Sequence, residues 1–108
     1  MSIVIHLFYT GKNDDAQKFA NEMESSGTAN LIRKENGNLS YKYYQSLDDK
    51  NTILLIDEWK NQNALNNHHK SNMMTKISKL REKYDLTMKI ESLTKTDIDS
   101  RNYKFIKK

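Results

Sequence analysis

The chain of 108 residues contains no cysteine and no proline, and it has only three glycines. Without cysteine it cannot form a disulfide, use a thiolate as a nucleophile or bind zinc or an iron–sulfur cluster through sulfur. Long apolar runs are missing too, since the longest, near residues 1–9, is far too short to span a membrane. Only Met1 and Ser2 precede this run, so no basic leader or cleavage site is visible, and we expect a cytoplasmic protein.

A strong charge of one sign is also absent, because the formal net charge is only +4. Most of the excess lies in residues 94–108, which carry five basic and two acidic side chains. A nucleic-acid-binding protein usually shows a basic stripe with interleaved aromatic residues on a folded face. Tyr103 and Phe105 among the lysines of this tail are the only such hint, so we predict no nucleic-acid partner and no membrane partner. We interpret residues 1–93 as one domain and 94–108 as a C-terminal extension.

Four segments have the composition and alternation of β-strands. Residues 2–10 and 52–59 are apolar on both faces and rich in β-branched or aromatic side chains. Residues 39–45 and 86–91 alternate apolar and polar side chains, which is typical of strands with one buried face.

In the segments between these strands, apolar residues recur at the spacing of an α-helix. Phe19, Met23 and Leu31 recur at roughly helical spacing. The spacing favours one long helix over residues 14–34 with a bend near Gly27, and the alternative is a helix that ends at residues 25–27.

Two further helices are predicted after the third strand. Asn61 is a candidate cap for a short helix that carries His68 and His69. Ser71 is a candidate cap for the next helix, whose inner stripe consists of Met73, Ile77, Leu80 and Tyr84.

The element order is therefore β-α-β-β-α-β, an α+β ferredoxin-like arrangement with an antiparallel sheet. In that topology the first and third strands are central, and these are the two segments that are apolar on both faces. Helices can cover only one face of such a sheet, so the other face would expose valine, isoleucine, leucine and phenylalanine to water. We therefore predict a homodimer that packs sheet against sheet.

Three stretches carry a resemblance to a known family. Residues 35–41 (Glu-Asn-Gly-Asn-Leu-Ser-Tyr) are similar to the Gly-x-Leu-x-Tyr pattern at the start of the second strand in antibiotic biosynthesis monooxygenase domains. Residues 57–68 resemble the Glu-x-Trp, Ala-Leu and His signature of that family, and residues 68–84 resemble a bacterial subgroup of it. The resemblance covers residues 2–93 and implies a dimeric α+β barrel with a pocket between helices and sheet in each subunit.

The same resemblance implies an activity. It suggests a homodimeric monooxygenase that uses dioxygen, without a cofactor, on a small aromatic quinol-like or enolisable compound. A non-catalytic ligand-binding or stress-associated dimer stays open as an alternative. So does an isomerase of a small sugar phosphate, for which Lys42, Lys60 and Arg81 are the candidate cations. Haem-degrading relatives carry an axial histidine where this chain has Ser78, which disfavours haem.

Two histidines are the candidate catalytic residues. His68 and His69 follow Leu65 by three and four residues, which places both near the inward side of their helix. A histidine is suited to removing a phenol proton because its ordinary pKa is near neutrality. The alternative for each is a packing or capping role. Adjacent histidines on a helix point about 100° apart, so no metal site is predicted.

The candidate substrate-binding residues are apolar or aromatic. The resemblance places Trp59 at the pocket wall, where it would stack on a ligand ring, and the alternative is a core tryptophan between sheet and helix. Tyr41 and Tyr43 share one strand face and could donate hydrogen bonds to a substrate oxygen, although plain packing is the commoner role. Met73 is a candidate for apolar wall, with core packing as its alternative.

Overall fold

A computed structural model describes residues 2–106, so Met1, Lys107 and Lys108 lie outside the described residues. The elements in chain order are β1 (Ile3–Thr10), α1 (Asp15–Ser25), α2 (Thr28–Arg33), β2 (Asn38–Gln45), β3 (Thr52–Trp59), α3 (Gln62–His69), α4 (Met73–Lys83), β4 (Thr87–Thr94) and a 3-10 helix (Ser100–Phe105). This order confirms the predicted α+β class.

The four strands form one antiparallel sheet in the order β2-β3-β1-β4. The two strands that are apolar on both faces, β1 and β3, are central and pair over their full length, from Ile3 opposite Trp59 to Thr10 opposite Thr52. The one-faced strands β2 and β4 are the edges, as predicted. β4 is longer than the predicted 86–91, because its pairing with β1 continues to Thr94.

The core lies between one face of this sheet and the helices. Its largest fully buried side chains come from β3, α1 and α2, and they are Leu55, Trp59, Phe19, Met23 and Ile32. Burying a side chain of this size stabilises the fold by about 1.5–3 kcal/mol. These contacts fix the helices on the sheet. Polar side chains on the same face of the strands line the site described below.

The predicted single helix over residues 14–34 is wrong, because the structure divides it into α1 and α2. Gly27 has a φ of +82°, a left-handed conformation that an α-helix cannot continue. The hydroxyl groups of Ser26 and Thr28 lie 2.9 Å apart across the break. α2 therefore starts in a new direction, and its last turn leads to the loop that carries Glu35.

The predicted N-cap of α3 is confirmed, whereas the predicted N-cap of α4 is wrong. Asn61 Oδ1 accepts a hydrogen bond of 2.9 Å from the amide of Ala64, as expected for a helix cap. Ser71 does not cap α4, whose N-cap residue is Asn72. The Ser71 hydroxyl instead donates to the carbonyl oxygen of His68 over 2.7 Å, so it satisfies the C-terminal end of α3.

The sheet face that points away from the core is apolar in its middle. Val4 and Phe8 of β1 and Leu54 and Ile56 of β3 are only half-buried there. Leu93 of β4 is 44% exposed on the same face. The predicted sheet-to-sheet dimer concerns this face.

The chain beyond β4 lies on the surface. Residues 95–106 are exposed, including the aromatic rings of Tyr103 and Phe105. No helix within residues 2–106 has both the length and the apolar character needed to cross a membrane.

Candidate functional site

A cavity of about 150 Å³ lies between the inward face of the sheet and helices α3 and α4. Its deepest part is lined by side chains that are at most 5% exposed. Tyr9, Tyr41 and Asp57 form the floor, and Leu55 and His68 belong to the walls. Side chains alternate between the two faces along β1, β2 and β3, which places these strand residues on one face of the sheet. His68 of α3 lies against the same face.

The rim of the cavity is exposed. Met88 and Ile90 of β4 are 37% and 56% exposed, and His69 also lies on the surface. The cavity therefore has a buried polar floor, apolar walls and an opening along the edge strand, which is the general form of a small-molecule site.

His68 is held in one orientation by a carboxylate and an aromatic ring. Its Nδ1 lies 3.0 Å from Glu35 Oε2 and 3.1 Å from Oε1. Its ring stacks on the indole of Trp59, with centroids 4.6 Å apart and planes inclined by 25°. Because a carboxylate accepts hydrogen bonds, Nδ1 is the donor to Glu35, and in the neutral imidazole Nε2 is then the nitrogen with a lone pair. The arrangement makes His68 a hydrogen-bond acceptor or base at the cavity wall.

Asp57 is a buried carboxyl group on the floor, only 3% exposed. Its Oδ2 accepts a hydrogen bond of 2.7 Å from Trp59 Nε1. Residues 2–106 offer no hydrogen-bond partner to its Oδ1. Burial raises the pKa of Asp57, while the Trp59 hydrogen bond and the nearby His68 act in the opposite direction.

Tyr9 and Tyr41 line the cavity together with this carboxyl group, and Tyr43 contacts Tyr41. The hydroxyl groups of Tyr41 and Tyr43 are 3.1 Å apart. Burial raises the pKa of Tyr41, of Tyr43 and of Tyr9 well above its usual range, so all three stay neutral and can donate hydrogen bonds.

Arg81 of α4 is the cation that lines the cavity. Within residues 2–106 it forms no ion pair, and its guanidinium group lies 3.7 Å from Met88 Sδ. Lys42 and Lys60 are exposed and do not line the cavity. At the rim, burial and then the neighbouring His68 lower the pKa of His69.

The structure brings together some of the predicted site residues and separates others. His68, His69 and Tyr41 line the cavity. Tyr43 reaches it only through its hydroxyl contact with Tyr41. Trp59 is fully buried behind His68, so it supports the histidine and Asp57 from outside the cavity.

Met73 lies in a separate surface groove with Glu35, while the next residue, Met74, lines the cavity. The roles of these residues stay predictions.

Sequence reasoning missed Asp57 and Glu35 as site residues. Asp57 had a signal, because strict alternation along β3 gives it the same inward face as Leu55 and Trp59. Glu35 had none, since it meets His68 across 33 residues of sequence and only the fold joins them.

Comparisons with known proteins bear on the family and the fold. The sequence matches the profile of the family "Antibiotic biosynthesis monooxygenase" over residues 2–80. No functionally curated protein matches it significantly.

Solved structures with the same fold come from several organisms. A conserved protein of Methanosarcina mazei is 25% identical with a TM-score of 0.76, the match covering 89% of this chain and 94% of that one. A candidate antibiotic biosynthesis monooxygenase of Deinococcus radiodurans is 18% identical with a TM-score of 0.77, covering 91% and 96%. SnoaB of Streptomyces nogalater, a cofactor-independent oxygenase, is 12% identical with a TM-score of 0.75, covering 90% and 95%.

Proposed function

Since the chain belongs to the antibiotic biosynthesis monooxygenase family, we propose that it oxygenates a small aromatic quinol-like compound with dioxygen and without a cofactor. The observation that carries the proposal is the hydrogen bond between the half-buried Glu35 and the buried His68, whose ring lines an apolar cavity. A pair of this kind can remove a proton from a phenol, which is the step that makes the ring reactive toward dioxygen.

The proton step uses the free lone pair of His68. Nε2 accepts the phenol proton, and the carboxylate of Glu35 stabilises the imidazolium ion that forms. Apolar walls such as Leu55 and Leu65 exclude water, so the phenolate is not stabilised by solvent and remains a good electron donor.

The redox steps need no external reductant. The phenolate passes one electron to dioxygen, and the aryloxyl radical and superoxide combine at a ring carbon that carries hydrogen. The peroxide anion takes the proton back from His68, and loss of water from the hydroperoxide leaves a carbonyl group. The phenol and dioxygen thus become a quinone and water. One atom of the dioxygen enters the quinone and the other enters the water, and the substrate supplies all four electrons. Arg81 supports the negative charge on the reduced oxygen.

One observation favours oxygenation over sugar-phosphate isomerisation. Of the three cations that a phosphate site could use, only Arg81 lines the cavity, while Lys42 and Lys60 lie outside it. A dianionic phosphate would therefore meet a single cation on a floor that already holds the Asp57 carboxyl group.

The apolar outer face of the sheet supports the further proposal of a homodimer. Val4, Phe8, Leu54 and Ile56 share this face of β1 and β3, the two middle strands, where they lie around His6. Packing this face against a second copy would remove it from water, which is the main driving force for association.

The proposed activity is tested with an oxygen electrode. Metal-free protein is mixed with hydroquinones and other polyhydroxylated aromatics, the rate of autoxidation is subtracted, and ¹⁸O₂ is used to follow the label. We expect uptake above background with one labelled oxygen atom in the quinone product. His68→Ala should lose this uptake, whereas His69→Ala, at the exposed rim, should keep most of it.

Two results would contradict the proposal. Uptake equal to background across the panel would favour a ligand-binding protein, which is then tested by thermal stabilisation with the same compounds. Full uptake by His68→Ala would remove His68 as the base.

A further inference from the structure

We propose that Asp57 forms a hydroxyl-binding subsite at the cavity floor and that the substrate is a single-ring dihydroxy aromatic compound. One hydroxyl group faces His68, and the other donates a hydrogen bond to Asp57 Oδ1. The choice of an aromatic substrate rests on the proposed function, whereas the subsite rests on the geometry of Asp57.

The first argument is the unequal use of the two carboxyl oxygens. Trp59 Nε1 fixes Oδ2 at 2.7 Å, so the carboxyl group cannot turn freely. Oδ1 has no partner within residues 2–106, although the side chain is 97% buried. A buried acceptor without a partner costs about 1–3 kcal/mol, so proteins rarely keep one unless a ligand or water supplies the donor.

The second argument concerns the neighbours that could have supplied that donor. Tyr41 lies on the adjacent strand opposite Asp57, but its hydroxyl group is engaged with that of Tyr43. Arg81 lines the same cavity as Asp57, yet the two side chains form no ion pair. Neither neighbour supplies the donor, so we assign it to a molecule bound in the cavity that Asp57 lines.

The third argument is size. A cavity of about 150 Å³ is comparable to an engineered apolar protein cavity of about 150 Å³ that binds benzene. One aromatic ring therefore fills this volume, and a fused three-ring compound would have to extend past it to the exposed rim. The apolar walls accept the ring, while His68 and Asp57 provide acceptors for two hydroxyl groups.

Binding is measured by anaerobic calorimetry, which separates it from turnover. The ligands are catechol, resorcinol and hydroquinone, each compared with its dimethyl ether, and the three-ring compound anthrone. We expect at least one diol to bind the native protein about tenfold or more tightly than its ether, because the ether has no proton to donate. Anthrone, whose additional rings would extend beyond the cavity, should bind about tenfold more weakly than the best diol.

Variants identify the acceptor. Asp57→Asn retains an oxygen for Trp59 and turns an amide group toward the cavity, so diol affinity should fall about tenfold while ether affinity stays within about twofold. Glu58→Gln is the matched control, because Glu58 is the next residue on β3, faces the other side of the sheet and pairs with Lys95. Its diol affinity should equal that of the native protein.

The outcomes separate this proposal from the oxygenase proposal. Equal affinities of the native protein for each diol and its ether would overturn the subsite, whatever the variants do. Unchanged diol binding by Asp57→Asn would also overturn it, and tight binding of anthrone would overturn the single-ring assignment. Diol binding that depends on Asp57, without oxygen uptake, would uphold the subsite and overturn the oxygenase.

Discussion

Glu35 and His68 meet through a hydrogen bond of 3.0 Å although the loop after α2 and the helix α3 carry them on separate parts of the fold. The glutamate side chain is 19% exposed and the histidine side chain 6% exposed. Trp59 stacks on the other side of the imidazole ring, so carboxylate and indole together leave one ring nitrogen available. This relationship gives the proposed base its tautomer and its orientation.

The first prediction tests the carboxylate behind the base. Glu35→Gln keeps a hydrogen-bonding oxygen for Nδ1 but removes the negative charge that stabilises the imidazolium ion. We expect kcat for oxygen uptake to fall about 100-fold with little change in KM, because the charge matters only after proton transfer. Glu24→Gln is the control, since Glu24 pairs with Arg33 outside the cavity. An unchanged kcat in Glu35→Gln would remove Glu35 from the mechanism.

The second prediction concerns the pH dependence of stability. Burial raises the pKa of Asp57 in the folded state above its ordinary value, so ionisation of this group destabilises the fold. The penalty is absent below the ordinary pKa of aspartate, about 3.9, and complete above the raised folded pKa. Asp57→Asn should therefore increase the free energy of unfolding at pH 7 by about 1–3 kcal/mol, the scale of burying a polar group, and the gain should shrink toward pH 3.5.

Urea unfolding of both proteins between pH 3.5 and 8 measures this difference. A gain that is the same at every pH would show that ionisation of Asp57 is not its cause.

The third prediction uses two glycines with similar backbone angles. Gly37 has a φ of +87°, and a Cβ atom there would lie 2.5 Å from Ala64 Cβ on α3. Gly27 has a φ of +82° with open space around it. Gly27→Ala should cost about 1 kcal/mol for the left-handed conformation alone. Gly37→Ala should cost about 3 kcal/mol, because α3 must also move.

Thermal or urea unfolding of the two variants provides the comparison. Equal losses of stability would show that the contact between Gly37 and Ala64 contributes nothing.

The fourth prediction separates the two faces of β3. Leu55 is 1% exposed and points into the core, whereas its neighbour Ile56 points to the outer face. Leu55→Lys should prevent folding, since burying an unpaired charge costs more than about 3 kcal/mol. Ile56→Lys should leave the helical circular dichroism unchanged and convert the proposed dimer to a monomer in analytical ultracentrifugation. A native protein that sediments as a monomer, or an Ile56→Lys protein that sediments as a dimer, would contradict the sheet-to-sheet arrangement.

The sheet was predictable because its signals are local. The alternation in β2 and β4 and the double apolar character of β1 and β3 follow from side chains that are adjacent in sequence, and the topology then fixed which strands are central. The break at Gly27 was harder, because helical spacing of Phe19, Met23 and Leu31 continues across it while a single backbone angle interrupts the helix.

The site was less predictable than the fold. The helical position of His68 could be derived, and the structure places it on the cavity as a result. Its partner Glu35 could not, because the contact depends on the path of a loop between two elements. Trp59 was expected at a cavity wall, but the size of its ring and the hydrogen bond to Asp57 hold it in the core behind the histidine.

The chain changes direction at Gly27, so the backbone angles of this residue set the direction of α2 relative to α1. α1 is fixed to the core by Phe19 and Met23 and α2 by Ile32, and the six residues of α2 span about 9 Å from Gly27 toward Glu35. A change of about 10° in the angle at Gly27 would move the far end by about 1.5 Å, which is enough to break a hydrogen bond. The alignment of the proposed base is therefore set in part by the torsion angles of a residue that touches neither the cavity nor the histidine.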